Sequence, residues 1–460
     1  MMEKHQFKVI IVGGSIAGLT LAHCLSRAQI DYVILERRAD VAPQEGASIG
    51  IMPNGARILE QLGLYSVLED LIHPLEEAHV IYPDGFTFTS QYPRLLRERF
   101  GFPLAFLDRQ KVLELLATKL PHPERLHLGT KVVSFEQTKT GVRVHTGAGL
   151  YHDGDLVVGA DGVHSVTRDE MWRLSGFSPQ HKRKQMLVHY ACAFGISSPL
   201  PNLPAGKQIT CYNHGWSILS VVGKHGRIYW FLFYKLDRNY NYMGAPRVSV
   251  EDVKERCTAL SQEPFWEEIT FGDLWAARER FNVTTVEEYV LQEWTWGNLI
   301  CIGDSAHKIA PHTGQGANCA MEDAAALATS LEHLLRGRVW KAPSSTELEQ
   351  ALKSFACVRR ARMDSVAYGS RMAMRCQALD GVFRRLFARY YFPYSGDMPA
   401  DLASRAIADA PLVGFIPLPQ RSGPGWKLFM KGAQARRSFV PAFVSVVIAV
   451  LGLVVLLHVK

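Results

Sequence analysis

Glycines 13, 14 and 18 follow directly on the apolar run FKVIIV at residues 7–12 and precede Leu19, Leu21, Ala22 and Leu25 at helical spacing. Such glycines permit a tight turn and close packing, and the helix that follows turns its free N–H groups toward a pyrophosphate. A second apolar run, residues 32–35, ends on Glu36, about where a carboxylate is needed to hold the hydroxyl pair of a ribose. These residues predict dinucleotide binding. A purely structural Gly-rich turn would use the same glycines, and Ser15 stands where the pattern has its middle glycine.

Two later stretches carry the same residue types. The run LVVGA leads into Asp161-Gly162, and LICIGD ends on Gly303-Asp304, followed by Pro311, Gly314, Gln315 and Gly316. An alanine-rich helix is predicted over residues 317–335, so its first N–H groups again lie beside a glycine loop. Asp161 and Asp304 could also cap turns, and Arg109, after Asp108 at a predicted helix start, could be a surface cation.

The elements that must position these residues begin with a βαβ unit at residue 7. An antiparallel ribbon is expected near residues 131–135 and 142–145. From 181 to 288 the pattern turns to long amphipathic strands, 208–222 and 227–235 (RIYWFLFYK), rich in aromatics. Only alternate residues of such a strand share a face, so half of Tyr212, Trp216, Tyr229, Trp230, Phe231 and Phe233 could line a pocket while the others are core. Residues 355–392 look helical and basic, and 393–425, broken by Pro and Gly, is expected to be a loop. The expected division is 1–180 and 289–380 for the two parts of a nucleotide-binding domain, 181–288 for an inserted sheet domain, 381–438 for a helical and loop region, and 439–459 for a membrane anchor.

With 460 residues, 47% of them apolar and 21% charged, the chain can bury a substantial core. Its net charge of +7 is mild and spread along the sequence, which argues against nucleic acid as a partner. Eight scattered cysteines form no CxxC pair and no zinc-site spacing, which fits reduced thiols and no metal. Residues 439–459 carry no charge and are about long enough to span a bilayer. Lys427, Lys431, Arg436 and Arg437 precede them, a basic flank that would keep the folded body in the cytosol. A buried terminal helix is the alternative.

Taken in order, VGGSIAGL with Glu36, GADGVHS at 159–165 and CIGDSAHKIAPHTGQGAN at 301–318 resemble the group A flavoprotein monooxygenases, the para-hydroxybenzoate hydroxylase fold. GASIGIMPNGARILEQLGL, HGRIYWFLFYK and APLVGFIPLPQRSGPGW extend the likeness over nearly the whole chain, to the fungal monooxygenases that epoxidise prenyl chains in indole-diterpene and meroterpenoid pathways. The resemblance implies an α/β fold: a Rossmann-like FAD-binding domain with an inserted β-sheet substrate domain and a C-terminal transmembrane helix. It further implies FAD and NADPH as cofactors, O2 as co-substrate, and a flavin C4a-hydroperoxide that epoxidises a terminal alkene of a farnesyl or geranylgeranyl chain. Many such enzymes end in an apolar anchor, which suggests the endoplasmic reticulum, with the catalytic domain facing the cytosol.

By the same resemblance Gly13, Gly14 and Gly18 form the phosphate turn and Glu36 binds the adenosine ribose. Arg109 contacts FAD near its ribose or pyrophosphate, Asp161 and Gly162 touch both FAD and the nicotinamide cofactor, and Asp304 holds the ribityl chain. The backbone of Gly50 approaches the cofactor, and the loop from Pro311 to Asn318, with Gly316 and Ala317, lies along the isoalloxazine. Tyr212 is a candidate proton donor. An aromatic hydroxylase, a prenyl reductase and a non-catalytic prenyl-binding protein share the fold as competing expectations; the intact flavin-site residues weigh against the last.

Overall fold

The computed structural model describes residues 6–45, 48–138, 141–338 and 342–430. Its first sheet has six strands in the order Thr295–Trp296, Leu299–Cys301, Leu156–Gly159, Lys8–Val12, Asp31–Leu35 and Leu126–His127. All neighbours run parallel except the outermost pair, 295–296 with 299–301. Val9, Ile10 and Ile11 are fully buried. A parallel sheet is covered on both faces, so a continuous β-branched run suits its centre. Helix Ile16–Arg27 lies against helix Gly316–Leu335, where alanines let the two approach closely. The expected antiparallel ribbon is a three-stranded sheet, Val132–Gln137, Val142–Thr146 and Tyr151–Gly154.

The second large sheet has eight strands: His307–Lys308, Arg278–Val290, Leu187–Ser197, Ile228–Asn241, Trp216–Val222, Lys207–Tyr212, Glu77–Ile81 and Thr87–Ser90. The interval 181–288 therefore leaves out the hairpin at 77–90, which pairs in parallel with Lys207–Tyr212 through Glu77–Ile81. Its strands are too short to show a period, although Asp84-Gly85 between them, with Gly85 at φ +80°, is a turn signal.

Two helical expectations shift. The long helix runs Ser345–Gln377, opened by a capping box between Ser344 and Glu347. It breaks where Leu379 (φ +45°) and Gly381 (φ +90°) turn left-handed, and a mixed helical run follows over residues 382–394. Within the expected loop at 393–425, Met398–Ala408 is a helix, because a proline in the first turn starts a helix as readily as it ends one. The apolar stretch at 439–459 lies outside the described residues, and none of the described helices is long and apolar enough to cross a membrane.

Candidate functional site

At the first turn Gly13 adopts φ +108°, and a Cβ there would lie 2.5 Å from the Ala160 carbonyl oxygen. A Cβ on Gly18 would lie 2.0 Å from the Gly13 carbonyl oxygen. Neither position admits a side chain. Gly14 lets Glu36 approach: its N–H donates to Glu36 Oε2 at 2.6 Å, while Arg38 N–H donates to Oε1 at 2.8 Å. Both carboxylate oxygens keep lone pairs for further donors.

Ser15, the departure from the glycine pattern, caps the helix in position only, since its hydroxyl makes no cap hydrogen bond. It accepts instead from Arg109 Nη2 at 2.8 Å, and Arg109 Nη1 lies 3.3 Å from Glu45 Oε2. Glycine could not make this link. About a quarter of the Arg109 side chain meets solvent, yet the surrounding protein pushes its pKa down, with Glu45 opposing the shift. A guanidinium so desolvated, beside uncapped helix N–H groups, fits a phosphate.

Asp161 closes its own loop. It accepts from Ser165 Oγ at 2.5 Å and from Thr167 N and Oγ1, both at 3.0 Å, just before helix Val166–Leu174. Burial raises its pKa against these donors. Gly162 stands at φ +78° with open space where a Cβ would point. Fully buried Arg168 ties this loop to the next motif, donating to the carbonyls of Val163 (2.9 Å) and Ser305 (3.3 Å). Burial would raise the Asp304 carboxyl, but the Lys308 ammonium at 2.7 Å holds it below the usual range. The three motifs converge here: a Cβ on Gly303 would sit 3.2 Å from Ala17 Cβ, while one on Gly13 would touch Ala160 and Asp161.

The loop before helix Gly316–Leu335 is a single turn, Pro311–Thr313, closed by Gly314 at φ +62°. Asn318 pins it. Its Nδ2 donates to the carbonyls of Gly314 (2.7 Å) and Gly50 (2.9 Å), and its Oδ1 accepts from Met52 N–H at 3.0 Å. Gly50 is pressed against Phe106, whose ring would meet a Cβ at 2.8 Å. Nothing lies within 4 Å of where Gly316 would carry a Cβ, so the helix start, with Ala317 next to it, faces open space.

Under this loop lies a buried ionic network. Asp323 accepts from Gly303 N–H (2.8 Å), His307 Nε2 (2.6 Å) and Arg359 Nε (2.7 Å). Glu322 accepts from Asn54 Nδ2 (2.7 Å), Arg359 Nη1 (2.8 Å) and Arg362 Nε (2.7 Å). Burial alone would raise both carboxyls. Arg362 and Arg359 hold Glu322 below its usual range, and His307 and Arg359 hold Asp323 down to about 2.

His312 stands differently. Both its ring nitrogens are buried and have no partner among the described residues, and burial pushes its pKa down to about 3. Its ring centroid lies 3.9 Å from that of Phe233, which stacks on Phe231 at 6.1 Å. An orphaned imidazole in this turn, facing an aromatic wall, fits a site that receives a further polar group. Tyr212 lies elsewhere, in a cluster with Val80, Tyr82, Leu379 and Ala388, its ring centroid 5.1 Å from that of Tyr82. None of those neighbours belongs to the three motifs.

Asn54, Arg168, Glu322, Asp323 and Arg359 were not legible as site residues in the sequence; His312 and Asn318 lie within the expected 311–318 loop, without the partners the structure gives them. Glu322-Asp323 did leave a signal: two adjacent acids within an otherwise apolar, alanine-rich helix need buried partners. Which arginines supply them is a long-range fact.

A parallel nucleotide-binding sheet whose three glycine and carboxylate motifs meet before a second, aromatic sheet is the architecture of a flavoprotein. Over residues 6–344 the chain matches the family model described as FAD binding domain, and it belongs to that family. It is 53% identical over 432 residues to the FAD-dependent monooxygenase pyr5 of Aspergillus fumigatus, covering 92% of this chain and 93% of that one. To the FAD-dependent monooxygenase paxM of Penicillium paxilli it is 46% identical over 94% and 91%. The protein is an FAD-dependent monooxygenase acting on a small molecule with O2. Its fold is shared with Klebsiella pneumoniae HpxO complexed with FAD and uric acid (TM-score 0.74, 21% identity, 89% of this chain and 100% of that one).

Proposed function

We propose that this monooxygenase epoxidises a terminal alkene in the farnesyl or geranylgeranyl chain of a meroterpenoid or indole-diterpene intermediate, with NADPH as reductant. One observation carries the proposal: the apolar wall of Phe231 and Phe233 meets the Pro311–Gly314 turn directly, ring against the His312 ring. Phe233 is fully buried behind this contact, and the partly exposed Phe231 beside it would give a hydrocarbon chain an apolar surface on which it is desolvated and positioned at once.

Bound FAD supplies the activated oxygen. Glu36 would hold its ribose, the start of helix Ile16–Arg27 with Ser15 and Arg109 its pyrophosphate, and Asp304 its ribityl chain. Gly162 would leave room beside it. The N–H groups at Gly316 and Ala317 would lie along its ring, where a helix N-terminus favours negative charge. Asn318 fixes that edge. His312, neutral at pH 7, offers an uncharged N–H, and Phe231 and Phe233 exclude water. Burial keeps the Tyr212 phenol protonated, so in this scheme it can only donate a proton. Unchanged epoxide yield and NADPH coupling in Tyr212→Phe would remove it.

The decisive experiment incubates membranes containing the protein with NADPH and a panel of prenylated aromatics. The expected product gains one oxygen on the prenyl chain; oxygen on the aromatic ring, or none, overturns the proposal. The uncharged stretch at 439–459, behind its basic flank, supports a single cytosol-facing anchor, at the endoplasmic reticulum. Deleting residues 439–460 should keep FAD bound and move the protein to the soluble fraction.

A further inference from the structure

Residues 382–394 form one helical run with two unlike sides. Its inner side is fastened. The Tyr82 hydroxyl donates to the Ala388 carbonyl, Phe392 packs on Phe88 at 5.7 Å, and Arg389 lies 3.8 Å over the Phe86 ring while pairing with Asp84 at 2.8 Å. Its outer side is exposed, with Tyr394 reaching back to Phe86 at 6.3 Å between ring centroids. Val382, Leu386, Tyr390 and Tyr394 follow one another at four-residue spacing and are 65%, 37%, 63% and 71% exposed, and Phe383 beside them is 82% exposed. Single exposed apolar residues are ordinary on a protein surface, whereas a contiguous stripe on a fixed element marks a contact.

Within the run the charge has one sign, while Asp380 and Asp397 on either side of it are paired with Lys235 and Arg99. From Gly381 to Ser395 there are three arginines and no acid, and after Asp409 the chain has no acidic residue at all. Arg385 and Lys427 have no acidic partner among the described residues. The last described residues pack on the helix Met398–Ala408 that follows the run, where Arg99 sits 4.9 Å over the Phe429 ring and pairs with Asp401 at 2.9 Å and Asp397 at 3.8 Å. Eight residues, 431–438, separate Met430 from the uncharged stretch, nine chain steps with a reach of at most about 32 Å.

We infer that the 382–394 run is a membrane-docking surface that lays Phe383, Tyr390 and Tyr394 into the interface of a bilayer bearing anionic phospholipid. Aromatic side chains settle at that depth, and arginines beside them meet the negative headgroups. The inference rests on the membrane attachment proposed above but concerns a different surface. It gives the body a fixed orientation, so that the Tyr82 and Tyr212 cluster behind the run, and through Leu379 and Ala378 the Phe233 wall, stands next to the lipid.

The test uses the full-length holoenzyme with exposed Cys357 and half-buried Cys376 replaced by serine, the other six cysteines being buried, and an environment-sensitive fluorophore on one cysteine introduced at position 383, or at Leu150 on the three-stranded sheet as control. With phosphatidylcholine vesicles containing 20 to 30 per cent phosphatidylserine, the 383 label should shift to the blue and rise at least about twofold in intensity. The 150 label should not change, and lipids with a quencher at the headgroup-proximal carbons should quench only the 383 label. Protein that floats with the vesicles while its 383 label stays in water overturns the docking surface and leaves the anchor standing. Protein that does not float overturns both. A 383 label already apolar without vesicles means that the tail or a second copy covers the stripe, and also overturns the inference. Arg384→Glu with Arg385→Glu should weaken the shift at least about threefold while the protein still floats.

Discussion

The two faces of the eight-stranded sheet have the same alternating, aromatic composition and opposite fates. On one face Trp230, Leu232 and Ile209 pack against Phe265, Phe271 and Trp275 in a closed core. On the other, Phe231, Phe233 and Leu219 look toward the long helix and the His312 turn. The strand Ile228–Asn241 contributes to both, residue by residue. What separates them is the neighbour: hydrocarbon behind, and in front a polar turn standing on buried charge. Aromatic content alone therefore does not mark a pocket; the element facing it does.

The largest effect that would break this contrast lies beneath the turn. Arg359→Leu leaves Asp323 and part of Glu322 without their buried cation and should cost about 4 kcal/mol or more, read as a fall in melting temperature together with loss of bound FAD. Trp230→Ala opens a cavity in the rear core and should cost about 3 kcal/mol. Folded Trp230→Ala protein should still bind FAD stoichiometrically; a flavin defect at unchanged stability would show that the rear face is not merely core.

Acid should act on the front side in two windows. His312 is pushed down to about 3 when folded, so the unfolded chain takes up its proton first and stability falls as pH drops below about 6.5. Asp323 is also depressed; its contribution, about 2 kcal/mol, is present above pH 4 and lost as pH falls toward 2. Urea titrations from pH 7 to 3 should show a shallower decline for His312→Phe between pH 6.5 and 4, and an unchanged slope would place His312 in contact with solvent. The smallest change in stability is expected for Phe233→Leu, under about 1.5 kcal/mol. Its effect should appear in coupling, as more NADPH consumed per oxygenated product.

Local structure was largely legible in the sequence. The turn at Gly13–Gly18, the carboxylates Glu36 and Asp304 and the helix starting at Gly316 all stand where period and motif put them. Ser15 read as a flaw and is a hydrogen-bonding partner of Arg109, a contact across 94 residues that no local pattern encodes. The same limit hid Arg359 and the bonds from Asn318, inside the expected 311–318 loop, to Gly50 and Met52 at the end of the strand Ser48–Ile51. Asp161 shows the reverse case: its residue type suggested the cofactor, whereas its hydrogen bonds are all within its own loop. The hairpin at 77–90 escaped because two short, half-exposed strands declare themselves only by pairing.

The alternation along Ile228–Asn241 also limits how such an enzyme can diversify. Side chains in a strand repeat every two residues, so inserting or deleting one residue would exchange the Phe233 row with the Trp230 row and put core where the substrate wall stands. Descendants can therefore reshape the front wall by substitution, one alternate position at a time, while changes of length are confined to the turns at either end of the strand.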